Sequence, residues 1–194
     1  MRFLPGKPDG FQINQTVSGH DMFERRISPV IPYSGFGIAA LIVALDQASK
    51  YWMLYGLDLI NQTPGQRVEV FSFFHLTMVW NRGISFGFLQ AQAFWQSLLL
   101  ILFSLAVSGL LASWMLKATR WLQASAYALI IGGALGNAID RAIYGAVADF
   151  LDFSSLPLPF GFQFNWVFNV ADVAINIGVV ALLIDLLFND RDAR

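Results

Sequence analysis

Four stretches of this chain are predominantly apolar, and most of the polar residues lie between them. They run approximately over 35–57, 94–116, 124–144 and 167–188. Each is near the ~20 residues that a helix needs to cross the hydrocarbon core of a bilayer. A surface helix of a water-soluble domain carries a polar stripe, and the segment from Leu98 to Leu111 almost entirely lacks one. The pattern predicts an α-helical integral membrane protein, with four transmembrane helices in a domain spanning 33–190.

The segments between the helices read differently. Within the external segment at about 56–93, Phe73–Trp80 is rich in aromatic and β-branched residues and reads as a strand. Thr63-Pro64-Gly65 marks a turn before it. A small external β-sheet between helices one and two is therefore expected. The connection at about 145–166 is short and apolar and is broken by Pro157, Pro159 and Gly161. Its aromatics (Phe150, Phe153, Phe160, Phe162, Phe164 and Trp166) suggest a loop lying along the membrane interface. Trp80, Phe86, Phe88, Phe94 and Trp95 suit the same aromatic belt. Residues 1–32 are polar, with scattered proline and glycine and no sustained period, and read as a cytoplasmic extension. Residues 191–194 form a short cytoplasmic tail.

Composition and charge sharpen this picture. Hydrophobic residues make up 56% of the chain and charged residues 13%, about half the usual charged share. A net charge of −1 and the lack of a basic cluster argue against a nucleic-acid partner. There is no cysteine, which excludes disulfides, thiolate nucleophiles and thiolate metal sites. Arg25 and Arg26 precede the first helix, Lys117 and Arg120 lie in the second connection, and Arg191 and Arg194 follow the last helix. Positive charge marks the cytoplasmic side, so both termini are expected there. The first apolar stretch is long enough to be a retained helix rather than a cleaved signal.

Five acids lie within or against the apolar segments: Asp46, Asp140, Asp149, Asp172 and Asp185. A carboxylate at bilayer depth is costly and usually has a partner or a function. With ~1.5 Å of rise per residue, the first four fall at the outer face and Asp185 near the cytoplasmic end. Asp46 and Lys50 are spaced to share a helix face, as are Asn137, Asp140 and Arg141, and Asn169, Asp172 and Asn176. Each set also has a structural reading: an ion pair easing insertion, interhelical glue, a loop charge, or an acid at a helix N-terminus. Asp185 reads as a helix-end charge reaching interfacial water. Gly132, Gly133 and Gly136 allow close helix approach. Two neighbouring carboxylates can hold one proton between them and so act as acid and base. A proton- or ion-coupled transporter is the alternative, but helix two and the cytoplasmic halves of helices one and three offer no polar path. A membrane scaffold would leave the Asn/Asp stripe without a purpose.

Two patterns mislead. Gly83-Ile84-Ser85-Phe86-Gly87 matches G-x-S-x-G, yet both histidines, His20 and His75, precede the serine, against the hydrolase order. No H-E-x-x-H occurs either. No metal and no cofactor is expected.

Five blocks in order carry a more specific signal. They are Asp46-Gln47-Ala48-Ser49-Lys50; Asn81-Arg82-Gly83-Ile84-Ser85-Phe86; Gly132 through Arg141; Val147-Ala148-Asp149-Phe150; and Phe168-Asn169-Val170-Ala171-Asp172. Together, over roughly 38–188, they resemble bacterial lipoprotein signal peptidase, signal peptidase II, an aspartyl intramembrane peptidase family. The resemblance implies an aspartic endopeptidase that removes the signal peptide from diacylglyceryl-modified prolipoproteins, cutting N-terminal to the lipidated cysteine. It implies Asp149 and Asp172 as the catalytic pair. Asp46, Lys50, Asn81, Gly83, Asn137, Asp140, Arg141 and Asn169 would shape the site or contact substrate. It further implies a multi-pass protein of the bacterial cytoplasmic (inner) membrane with its site near the outer face. Membrane lipid and peptide-like inhibitors such as globomycin would be its other partners. Ala148 stands where the family usually has valine, and Ile84-Ser85 where two small residues are common.

Overall fold

The computed structural model describes residues 30–63, 66–83, 94–157, 159 and 166–189. The polar leader up to residue 29, Pro64 and Gly65 of the expected turn, residues 84–93 with Phe86 and Phe88, the loop aromatics Phe160, Phe162 and Phe164, and the 191–194 tail lie outside the described residues.

Four long helices are present: α1 (Val30–Tyr51), α2 (Phe94–Met115), α3 (Trp121–Tyr144) and α4 (Val170–Asn189). α3 packs against each of the other three, and its sequence explains why. Its small residues Ala124, Ala126, Ala128, Gly132, Gly133, Gly136 and Ala138 are all buried, so neighbouring backbones approach closely. A Cβ at Gly133 would strike the Ala171 carbonyl of α4, and one at Gly136 would strike the Asp46 carboxylate of α1. α2 keeps Leu98, Leu99, Leu102, Phe103, Leu105 and Leu110 exposed, as suits a surface meeting lipid rather than water.

Among the described residues, α2, α3 and α4 are long and apolar enough to cross a membrane. The last two turns of α1 carry Asp46, Gln47, Ser49 and Lys50, which lower its apolar character. The helix begins and ends earlier than the stretch of about 35–57 expected from the sequence. Beyond Tyr51 the chain tightens into a π-helical turn, Trp52–Gly56, and a 3₁₀ turn, Leu59–Asn61. Leu54 and Leu59 are buried there.

The sheet departs from expectation in its make-up. It has four antiparallel strands in the order β1 (Arg67–Phe71), β2 (Phe74–Asn81), β3 (Val147–Asp152) and β4 (Val167–Phe168). β3 thus comes from the 145–166 connection, which the sequence suggested was an interfacial loop, and β4 from the start of the stretch expected as helix four. β3 is buried along nearly its whole length. Such a run shows no two-residue alternation, so periodicity alone cannot mark it as a strand.

Two short joints tie the sheet to the helices. α3 stops at Gly145, whose φ of 71° is the left-handed cap that glycine adopts easily, with its N–H on the Arg141 carbonyl at 3.0 Å. β3 follows two residues later. β4 is one residue from α4, and that residue is Asn169. Leu59, Leu76 and Phe150, with Met53 and Val170 against them, pack beneath the sheet and fix it over the ends of α1 and α4.

Candidate active site

The site forms where β3 passes over the first turn of α4. Asn169 caps that helix. Its Oδ1 accepts the Asp172 N–H at 3.0 Å, and Asp172 Oδ2 accepts the Asn169 N–H at 3.3 Å, a reciprocal capping box. The same residue reaches the strand, its Nδ2 donating to Asp149 Oδ1 at 2.6 Å. Asn169 therefore holds both carboxylates. Each has one further amide donor: Asn81 Nδ2 lies 3.0 Å from Asp149 Oδ2, and Asn137 Nδ2 lies 2.9 Å from Asp172 Oδ1.

Asp149 is 2% exposed. Burial pushes its carboxyl up to about 7 and the neighbouring Asp172 adds to the rise, while the Asn81 and Asn169 amides and Lys50 oppose it. A carboxyl poised near neutrality is suited to giving and taking protons at neutral pH.

Beneath the pair lies a buried ionic knot. Lys50 Nζ is 2.8 Å from Asp46 Oδ2, 2.8 Å from Asp140 Oδ2 and 3.1 Å from Asn137 Oδ1. Asp46 Oδ1 accepts the Ala171 N–H at 2.9 Å, and Asp140 Oδ2 accepts the Ala148 N–H at 3.0 Å. The knot thereby grips the residue before each member of the pair. Asn137 Oδ1 also accepts from Asn169 Nδ2 at 3.2 Å, so one amide links lysine, capping residue and Asp172. A half-satisfied network at this depth would be costly, and here the carboxylates have donors on both oxygens.

Asp46, Lys50, Asn81, Asn137, Asp140, Asp149, Asn169 and Asp172 are thus gathered into one network. Gly83 joins at its edge, donating its N–H to Asn81 Oδ1 at 3.0 Å and accepting from Arg141 Nη2 at 3.0 Å. Arg141 lies on the helix face of Asn137 and also reaches the external segment. Its guanidinium contacts the Gly83 and Asn137 carbonyls and its Nε is buried without a hydrogen-bond partner, while Asp140 pairs with Lys50. Asp185 stands apart at the other end of α4. It does not reach out to water but is 5% exposed and pairs with Arg120 at 2.7 Å.

Sequence reasoning missed Gln47. Its Nε2 donates to Asp140 Oδ1 at 3.0 Å and to the Gly136 carbonyl at 3.1 Å. Its position between Asp46 and Lys50 was the available signal. Among the described residues, no cluster of histidine, aspartate and glutamate is arranged to hold a metal ion.

Comparison with known proteins gives a consistent result. A family model described as signal peptidase (SPase) II matches residues 38–188. A lipoprotein signal peptidase of Rhodopseudomonas palustris (strain TIE-1) is 47% identical over 154 residues, covering 79% of this chain and 91% of that protein. One from Caulobacter vibrioides is 47% identical over 158 residues, covering 81% and 88%. Among solved structures, a bacterial membrane enzyme determined by the in meso method at 2.3 Å resolution superposes with a TM-score of 0.69 at 28% identity. That match covers 84% of this chain and 92% of the other.

Proposed function

This chain belongs to the signal peptidase II family, and from that premise we propose that it removes signal peptides from prolipoproteins with Asp149 and Asp172 as its reacting pair. The observation that carries the assignment is Asn169, which hydrogen-bonds Asp149 through its side chain and Asp172 through its backbone and Oδ1. It supports two carboxylates facing one peptide bond from a strand and a helix.

The chemistry needs one proton shared by the pair. Two like charges close together disfavour double ionisation, and the pair titrates jointly. The ionised carboxylate takes a proton from water as the water oxygen bonds to the scissile carbonyl carbon. The neutral carboxyl gives its proton to the carbonyl oxygen. Collapse of the tetrahedral intermediate breaks the C–N bond as the carboxyl that took the water proton gives it to the leaving amine, while a hydroxyl of the intermediate returns a proton to the other carboxylate and restores the singly protonated pair. Neither a metal nor a covalent intermediate enters.

The remaining network holds this geometry. Lys50, Asp46, Asp140 and Gln47 fix the residues before each reacting carboxylate, while Asn81, Gly83, Asn137 and Arg141 border the space where the peptide lies. The substrate is a diacylglyceryl-modified prolipoprotein cut N-terminal to its lipidated cysteine. Its signal helix and acyl chains occupy apolar grooves along the membrane helices. Four spans with both termini cytoplasmic put the site near the outer face of the bacterial inner membrane. A globomycin-like peptide presenting a hydroxyl between the two carboxylates would block it.

The decisive experiment uses purified protein and a lipidated prolipoprotein. Asp149→Asn and Asp172→Asn keep shape but remove acid–base capacity, so each should abolish release of the signal peptide while the variant stays folded. Near-normal turnover by either would overturn the pair. Activity should also survive chelators and serine-directed reagents; loss on chelation with recovery on adding zinc would refute the mechanism.

A further inference from the structure

Beyond Asp172, α4 is almost wholly apolar. From Val173 to Phe188 its polar side chains are those of Asn176 and Asp185. Asp185 is buried and paired with Arg120, whereas Asn176 is exposed. The exposed residues around it, Val173, Ile177, Val179 and Val180, are those of a surface meeting lipid. A primary amide is costly in hydrocarbon unless its polar atoms find partners, so Asn176 has no reason to face acyl chains alone.

Asn176 lies one turn from Asp172 on the same side of the helix, ~6 Å along the axis at ~1.5 Å per residue. Ala171 and Gly178 mark the different face that packs on α3. Its Nδ2 donates to the Asp172 carbonyl at 2.8 Å. A carbonyl can only accept, so this contact fixes which end of the amide is nitrogen and leaves Oδ1 as an acceptor. Among the described residues that oxygen receives no hydrogen bond. An open acceptor therefore stands beside the backbone of Asp172, on the exposed side of α4.

A peptide is cut where it is extended, and extended backbone at membrane depth has N–H groups that no helix satisfies. An extended chain advances ~3.3 Å per residue, so ~6 Å spans about two residues. The basic N-terminus of a signal peptide stays cytoplasmic, so the residues preceding the scissile bond lie deeper than the reacting pair, as Asn176 does. We propose that Asn176 binds substrate, its Oδ1 accepting a backbone N–H of the signal peptide about two residues before the scissile bond. This contact rests on the reading of Asp149 and Asp172 as the reacting pair at a site near the outer face.

The test measures kcat/KM of the full-length protein on variants of one lipidated prolipoprotein. In two of them a backbone ester replaces the N–H of the second or the third residue before the scissile bond. In another, ether-linked alkyl chains replace the acyl esters. Wild type should lose about 3- to 10-fold on one backbone ester, the scale of a single hydrogen bond. Asn176→Leu, of similar volume, should lose as much on the all-amide substrate and nothing further on that ester. The ether-linked substrate should show no such coupling. Because the side chain is exposed, the unfolding temperature in detergent should not change; if Asn176→Leu folds poorly, Asn176→Ala decides by the same comparison. Additive losses on both backbone esters would overturn the contact. Coupling to the ether-linked substrate instead would also overturn it, assigning the second Asn176 N–H to the lipid carbonyls. An active Asp149→Asn would remove the underlying pair. An inactive Asp149→Asn, with Asn176→Leu indistinguishable from wild type on every substrate, would refute the contact alone.

Discussion

Asn169 closes a helix and spaces two acids at the same time. Asn169→Ala removes the side-chain donor to Asp149 and the acceptor for the Asp172 N–H. We expect near-complete loss of cleavage together with a lowered unfolding temperature in detergent, an N-cap being worth about 1 kcal/mol. We expect Asp149 to set the pH dependence. Its carboxyl, pushed up to about 7 chiefly by burial, is protonated below that pH and ionised above it. Under the proposed mechanism the pair works with one proton, so kcat/KM should fall as pH rises through about 7; a profile flat from pH 6 to about 9 would contradict this. These acids stand out in the sequence because carboxylates are rare among apolar residues. Gln47 does not, since a glutamine beside charged residues looks like ordinary helix-end polarity until α3 is packed against it.

Close helix approach depends on particular glycines. At Gly136 a Cβ would meet the Asp46 carboxylate, which Lys50 and the Ala171 N–H hold in place. At Gly133 it would meet the Ala171 carbonyl and Ile175. Gly136→Ala and Gly133→Ala should each destabilise the protein by about 1–3 kcal/mol, the usual cost of overpacking, and should lower activity through α1 and α4. A Cβ at Gly109 of α2 meets nothing within 4 Å. Gly109→Ala should therefore be neutral or gain up to about 1 kcal/mol in helix propensity. Thermal unfolding in one detergent ranks the three. The small-residue stripe of α3 could be read directly from the sequence; which glycine meets which helix could not.

Across the bilayer, the two ends of α4 do different work. Asp185 follows Asp172 by thirteen residues, about 20 Å at ~1.5 Å per residue, beyond any proton transfer to the site. Asp185→Asn should cleave normally while weakening the tie to Arg120. The arginine is 40% exposed, so the expected loss of stability is about 1 kcal/mol or less. A cleavage defect matching that of Asp140→Asn would contradict the four-span arrangement. The absence of native cysteine makes the topology directly testable. In sealed cells a membrane-impermeant maleimide should label Ser72→Cys from outside and should leave Thr119→Cys unlabelled until the membrane is opened.

By itself the sequence determined the membrane class, the acids set among apolar residues and the family they resemble. Each rests on local information: segment length against bilayer thickness, the cost of charge in hydrocarbon, and residue types in fixed order. Three features were decided by tertiary structure. β3 emerged from a stretch whose burial erased the alternation that marks a strand. Asp140 found Lys50, because the packing of α1 on α3 brings the lysine to it. A bulge in β2 between Leu76 and Val79 set the face on which Asn81 meets Asp149, since strand phase depends on a partner strand distant in the chain.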